Sequence, residues 1–116
     1  MKLDIDVENK IEEIEKIICS HFGVTGQQII NKERTEDVIS ARAFLFYILH
    51  YKLEMSPLTI SKIYPRQPRG IKKLCAKIKN GLKFHKIYNT IYEDLLKKIE
   101  PILPKDLDRF YKRNQS

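Results

Sequence analysis

The sequence predicts an all-α protein, a compact bundle of five to six helices. Apolar residues recur at helical spacing along nearly the whole chain, and no segment shows the strict alternation of a β-strand. Helix start and stop signals separate the apolar stripes, as at Gly23 and Ser56-Pro57. The length of 116 residues, of which 42% are hydrophobic, suits one domain with its own core. We therefore expect residues 1–116 to form a single domain.

The first half of the chain contains an amphipathic helix, a short helix and a long apolar helix. Asp6 is a candidate N-cap of the first helix, and Gly23 supplies a left-handed stop after it. Thr25 opens a capping box for the short helix. Thr35 can cap the third helix, which runs to about Glu54 and is the most apolar of the chain. This third helix is predicted to lie at the centre of the domain.

The second half is predicted to contain three further helical segments. Ser56-Pro57 combines a capping side chain with a proline at the first helical position, and it opens a short helix. Residues 64–70 hold two prolines and a glycine, so helical spacing is expected to resume only at Gly70. The last helix spans about Phe84 to Ile99, and prolines end it. Residues 105–116 add a final turn or fray.

The net charge of +7 is distributed unevenly along the chain. Residues 1–58 carry 7 basic and 10 acidic side chains, whereas residues 59–116 carry 15 basic and 5 acidic ones. Between Glu54 and Glu93 there is no carboxylate, and nine cations crowd that stretch. Solvated helices normally mix both signs, because like charges at helical spacing repel. The pattern favours a surface that meets a polyanion over a merely basic surface.

This carboxylate-free stretch coincides with a short helix, a tight turn and a basic amphipathic helix, which is the order of a helix-turn-helix unit. The second helix of such a unit enters the major groove of DNA. Arg66 and Arg69 sit where side chains reach base edges, and an arginine there can bond guanine with two hydrogen bonds. The lysines of the helix are expected to hold phosphates. The candidate DNA-binding residues of this unit are Arg66, Gln67, Arg69, Lys72, Lys73 and Lys77.

A family resemblance covers about two-thirds of the chain. Its residues are His21-Phe-Gly-Val, the basic loop Asn31-Lys-Glu-Arg34, Val38-Ile-Ser-Ala-Arg42, and Arg66 followed by Ile71 and Leu74-Cys-Ala-Lys-Ile78. In this order they make residues 7–83 similar to the C-terminal DNA-binding domain of the bacterial replication initiator DnaA, a Trp-repressor-like helix-turn-helix domain. Residues 84–116 then form an extra C-terminal helix and tail.

The resemblance implies binding to double-stranded DNA, origin- or site-specific as in replication initiators. It also implies that Arg34 enters the minor groove, that Arg42 holds a phosphate and that Lys32 approaches the backbone. The family opens its recognition helix with Gly-Arg-Asp-His-Thr-Thr-Val, whereas Pro65 to Ile71 keep only the arginine and the apolar position. The sequence contains no Gly-x-x-x-x-Gly-Lys-Ser/Thr motif, so no ATPase activity is expected of it.

Other classes of function have little support in the sequence. The three histidines show neither metal-ligand spacing nor a cysteine partner, so we expect no enzyme, no cofactor and no small-molecule substrate. The N-terminus lacks the apolar core of a signal peptide, and the longest apolar run is far shorter than a membrane span, so a cytoplasmic bacterial protein is expected. The alternative is a helical adaptor module whose basic face docks an acidic protein or a second copy of the chain.

Overall fold

The computed structural model describes the backbone of residues 5–113 and the side chains of residues 5–111. The prediction of an all-α fold is confirmed, since this part of the chain contains helices and no strand. Seven α-helices are present in it, because the short second helix and the terminal helix each form a separate element. They are α1 (Ile5–Phe22), α2 (Gly26–Ile30), α3 (Glu36–Tyr51), α4 (Pro57–Ile63), α5 (Pro68–Phe84), α6 (Lys86–Ile99) and α7 (Leu107–Arg113), with a 3-10 turn at Glu100–Ile102.

Local signals set most helix boundaries in the first half. Gly23 adopts a φ of 68° and ends α1, as predicted. Thr25 accepts a hydrogen bond from the backbone N–H of Gln28, whose side chain bonds back to Thr25, so the predicted capping box is present. Asp6 was expected to cap α1, but the helix already includes Ile5 and Asp6 lies in its first turn. There its negative charge still suits the positive end of the helix.

Two boundaries of the central helices differ from the prediction. Helix α3 ends at Tyr51 rather than near Glu54, which instead adopts a φ of 53° in the turn before α4. Helix α5 begins at Pro68 rather than at Gly70, because the proline occupies the first helical position, where no N–H is needed. The start of α4 is as predicted, since Ser56 accepts a hydrogen bond from the N–H of Thr59.

Helix α3 forms the centre of the core, as the sequence predicted. It packs against α1, α2, α4 and α5. Six of the seven residues from Ala43 to Leu49 are buried, and Tyr47 is half-buried, so this helix is apolar all round, which is typical of a helix surrounded by protein. The thiols of Cys19 and Cys75 are free and lie in this core. Burial raises the pKa of each thiol to about 11.

The C-terminal segment shares the same core. Leu95 and Ile99 of α6 are fully buried, and Phe110 of α7 is nearly so. Helix α6 packs against α1 and α5, and the hydroxyl of Tyr111 donates a hydrogen bond to the carbonyl oxygen of Leu53. Residues 114–116, the end of the tail expected to fray or turn, lie outside the described part. Within residues 5–113, no helix is both long enough and apolar enough to cross a membrane.

Candidate nucleic-acid interface

Helices α4 and α5 form the helix-turn-helix unit that the sequence predicted. Residues 64–67 connect them, which is the short turn that such units use. Ile60 of α4 and Ile71 and Cys75 of α5 are buried together in the core, so the apolar side of α5 faces inward. Tyr64 is buried in the turn, and its hydroxyl donates a hydrogen bond of 2.8 Å to Glu15 of α1. Burial raises the pKa of Tyr64, so it remains a donor. The unit is thereby fixed on the domain.

The outward side of α5 is cationic. Its predicted DNA-binding residues are all exposed, and we call them the basic face: Arg69, Lys72, Lys73 and Lys77. None of the cations from Lys62 to Lys86 forms an ion pair with a described residue. Gln67 is exposed at the N-cap of α5, and its side chain makes no capping hydrogen bond. The side chains at the start of α5 are therefore directed to solvent without an anionic partner.

The loop of residues 31–35, between α2 and α3, lies beside the start of α5. Lys32 and Arg34 are exposed in it, as a surface that contacts DNA requires. The one carboxylate of the loop, on Glu33, accepts a hydrogen bond of 2.8 Å from the side-chain amide of Gln28. Glu33 is half-buried, so its negative charge is directed toward α2 rather than presented with Lys32 and Arg34.

The loop of residues 31–35 and the start of α5, the recognition helix, enclose an open groove of about 1100 Å³. No aspartate or glutamate lines it among the residues that the structure describes. The neutral lining includes Gln67 and Gly70 at the start of α5. The cationic lining residues are Lys32, Arg34, Arg42, Arg66 and Lys73. Five cations around one groove produce a strong positive potential, which attracts phosphate groups.

Arg42 of α3 forms the floor of this groove and is 5% exposed. Its Nε donates to the carbonyl oxygen of Ile29 at 3.0 Å, and its Nη2 donates to that of Asn31 at 2.8 Å. Longer bonds from Nη2 reach the carbonyl oxygens of Gln28 and Glu33. These oxygens lie at the carboxyl end of α2 and in the following loop, where no intrahelical donor is available. Arg42 therefore closes the end of α2 from inside the protein.

Arg66 of the turn bonds the same end of α2 from outside. Its Nη2 donates to the carbonyl oxygen of Asn31 at 2.5 Å, with that of Ile29 at 3.5 Å. Its Nη1 donates to the carbonyl oxygens of Ile30 at 3.2 Å and Pro65 at 2.9 Å. We call Arg42 and Arg66 the arginine clamp. Burial, followed by repulsion from Arg66 and Arg34, lowers the pKa of Arg42.

Six of the nine predicted site residues line the groove, whereas Arg69, Lys72 and Lys77 are exposed on α5 and are not among its lining residues. The predicted residues have two kinds of surroundings. Lys32, Arg34 and Gln67 are exposed together with the basic face, whereas the clamp is engaged with carbonyl oxygens. Two lining residues that the sequence did not point to are Ser61 and Ile39. A serine or an isoleucine on a helix carries no signal of its own, so only the packing of α3 and α4 places them here.

A helix-turn-helix unit with a cationic outer face, next to a basic loop, defines this chain as a helix-turn-helix protein of the DNA-binding class. A family model described as the bacterial dnaA protein helix-turn-helix matches residues 11–77, which is more than half of the chain. The chain belongs to this family, and the resemblance seen in its sequence is confirmed. No curated protein and no solved structure matches the chain.

Proposed function

We propose that this domain binds double-stranded DNA, with α5 in the major groove and the loop of residues 31–35 at the adjacent backbone or minor groove. The groove between them, lined by five cations and by no described carboxylate, is the observation that carries the proposal. Membership of a DNA-binding family supports it. Bacterial chromosomal DNA in the cytoplasm is the proposed setting, and neither nucleotide hydrolysis nor a cofactor is part of the proposal.

The basic face and the loop divide the contacts between them in this proposal. Lys72, Lys73 and Lys77 hold phosphates, because a lysine ammonium is a compact point charge that suits a phosphate oxygen. Lys32 and Arg34 contact the backbone and minor groove next to α5. Gln67 and Arg69 lie at the start of α5, where the side chains of a recognition helix meet base edges.

The salt dependence of binding tests this proposal. With about six phosphate contacts, the logarithm of the association constant should fall with the logarithm of salt concentration at a slope of about −5. Fluorescence anisotropy with a labelled duplex of about 20 base pairs measures this slope. Absence of duplex binding at roughly 50 mM salt would refute the proposal.

Charge reversal on α5 locates the contact surface. The double variant Lys73→Glu, Lys77→Glu should bind duplex roughly 60-fold or more weakly at about 0.1 M salt, since it loses two phosphate contacts. Lys97→Glu with Lys98→Glu on α6 changes the net charge equally and is the matched control, with both residues exposed. Equal losses from both pairs would mean that only net charge matters. A changed oligomeric state without a change in DNA affinity would favour the adaptor alternative.

A further inference from the structure

Arg66 lies where the side chains of a helix-turn-helix unit are expected to reach base edges, yet its guanidinium is engaged within the protein. Both terminal nitrogens donate to carbonyl oxygens of residues 29–31, and the shortest of these bonds, to Asn31, is 2.5 Å. Reading guanine with two hydrogen bonds uses either both terminal nitrogens or Nε with Nη2, so it requires at least one nitrogen that is already engaged. Arg66 cannot make both sets of bonds at once, so contact with a base would release the end of α2.

The first turn of α5 offers few other side chains that can read bases. Its first three residues are Pro68, Arg69 and Gly70, of which only Arg69 carries a side-chain donor. The next outward residues are Lys72 and Lys73, whose ammonium groups lack the planar fork of an arginine. Arg69 and the preceding Gln67 are therefore the residues at this end of α5 that can form bidentate contacts with bases.

The clamp, in contrast, fixes the loop of residues 31–35. Arg42 and Arg66 share the carbonyl oxygens of Ile29 and Asn31, so α3, the turn before α5 and the end of α2 meet at these two atoms. Asn31 directly precedes Lys32 in the chain. Movement of the loop would therefore break hydrogen bonds from both guanidiniums, and the position of Lys32 and Arg34 relative to α5 depends on the clamp.

We propose that this domain binds duplex DNA with little regard to its sequence, and that Arg66 is a positioning residue which holds the loop of residues 31–35 beside α5. The proposal rests on the proposed function, because it specifies how the same surface recognises a duplex. Contacts with phosphates supply the affinity. One or two bidentate contacts with bases supply the discrimination between DNA sequences. A single such contact distinguishes its base by roughly 5- to 150-fold, whereas sequence-specific proteins reach about 10³-fold or more.

Selection from random duplexes of about 20 base pairs, carried out with the full chain, tests the sequence preference. The dissociation constants of the best selected duplex and of an unselected duplex are then compared at the same salt concentration, about 0.1 M. We expect a ratio below about 10³-fold, the lower bound for sequence-specific proteins, and a larger ratio would overturn the proposal. If no duplex binds at all, the proposed function itself has failed, which is a different result.

The substitutions Arg66→Lys and Arg69→Lys separate positioning from base reading, because both keep the positive charge and remove the fork. Arg66→Lys should weaken binding to selected and unselected duplexes by the same factor. It should also accelerate trypsin cleavage after Lys32 and Arg34, identified by mass spectrometry, because the loop loses part of its anchor. Arg69→Lys should leave that cleavage unchanged and weaken the selected duplex alone. A loss confined to the selected duplex in Arg66→Lys, with unchanged cleavage, would overturn the positioning role.

Discussion

The arginine clamp and the basic face of α5 carry the same charge in opposite surroundings. Each guanidinium of the clamp donates to several carbonyl oxygens at the end of α2. The cations of the basic face are exposed and form no ion pair with a described residue. The role of a cation therefore depends on the hydrogen-bond acceptors within its reach. Charge counting along the chain groups Arg66 with Arg69, whereas the hydrogen bonds group it with Arg42.

The two regions should accordingly differ in what they contribute to the free energy. Hydrogen bonds from a charged donor contribute roughly 1.5–3 kcal/mol each, and buried acceptors left without a donor are costly. Neighbouring like charges on a helix surface cost only a few tenths of a kcal/mol per pair. The clamp therefore stabilises the fold, and the basic face supplies affinity for a polyanion at a small cost in stability.

Removal of the buried member of the clamp should have the largest effect on stability. Arg42→Ala leaves the carbonyl oxygens of Ile29 and Asn31 with fewer donors and opens a cavity beneath the groove. We expect the free energy of unfolding to fall by roughly 3–5 kcal/mol, measured by urea denaturation. Because the loop of residues 31–35 loses its hydrogen bonds to Arg42, the folded fraction of the variant should also bind duplex more weakly.

Arg69→Ala is the matched control on the basic face. It removes the same type of side chain from an exposed position, so the free energy of unfolding should change by no more than about 0.5 kcal/mol. Similar losses of stability in Arg42→Ala and Arg69→Ala would contradict the distinction between clamp and basic face.

Much of the fold follows from local sequence signals. Gly23, the capping box at Thr25 and the pair Ser56-Pro57 act within a few residues, so each boundary could be predicted. The predicted start of α5 at Gly70 is two residues late, because two prolines and a glycine indicate an interruption, whereas a proline at the first helical position is favourable. The end of α3 differs from the prediction because Glu54 adopts a φ of 53° and the N–H of Met55 donates to the carbonyl oxygen of Leu49 at 3.1 Å, a turn that no glycine marks in the sequence.

The candidate site was predictable to the extent that it consists of exposed charge. The alternation of cations and apolar residues along α5 sets which residues face outward, so the basic face could be derived from helical spacing. The arginine clamp could not be derived from helical spacing. The carbonyl acceptors of Arg66 at the end of α2 lie 35 to 37 residues before it in the chain, and those of Arg42 lie 9 to 14 residues before it. Backbone carbonyls have no sequence signature, so only the folded chain shows that these arginines are engaged.

The contact of α5 with α6 provides a substitution whose expected effect on stability is intermediate. A Cβ added to Gly81 would lie 2.2 Å from the ring of Tyr88 in α6, which forces that ring to move. Gly81→Ala should therefore lower the free energy of unfolding by roughly 1–3 kcal/mol. It should leave the salt slope of DNA binding unchanged, because the basic face stays intact. Thermal or urea denaturation and anisotropy measure the two quantities.

Gly70→Ala is the counterpart at the other end of α5. No atom lies within 4 Å of an added Cβ there, and alanine favours a helix over glycine by about 0.5–1 kcal/mol. Gly70→Ala should therefore stabilise the domain, opposite in sign to Gly81→Ala. Destabilisation by both substitutions would indicate that the contact with Tyr88 is not the cause.

The smallest change in stability is expected on the basic face itself. Lys72→Ala relieves repulsion from neighbouring lysines, so the free energy of unfolding should stay the same or rise by up to about 0.5 kcal/mol. Duplex affinity should nevertheless fall roughly 8-fold at about 0.1 M salt, and the salt slope should become about 0.9 less steep, as for one lost phosphate contact. Lys98→Ala on α6 removes the same charge from another exposed position and should change neither quantity. A loss of more than about 1 kcal/mol of stability in Lys72→Ala would contradict this assignment. It would show that Lys72 stabilises the fold as the clamp does, whereas a lysine that only contacts phosphate has no stabilising bond within the protein.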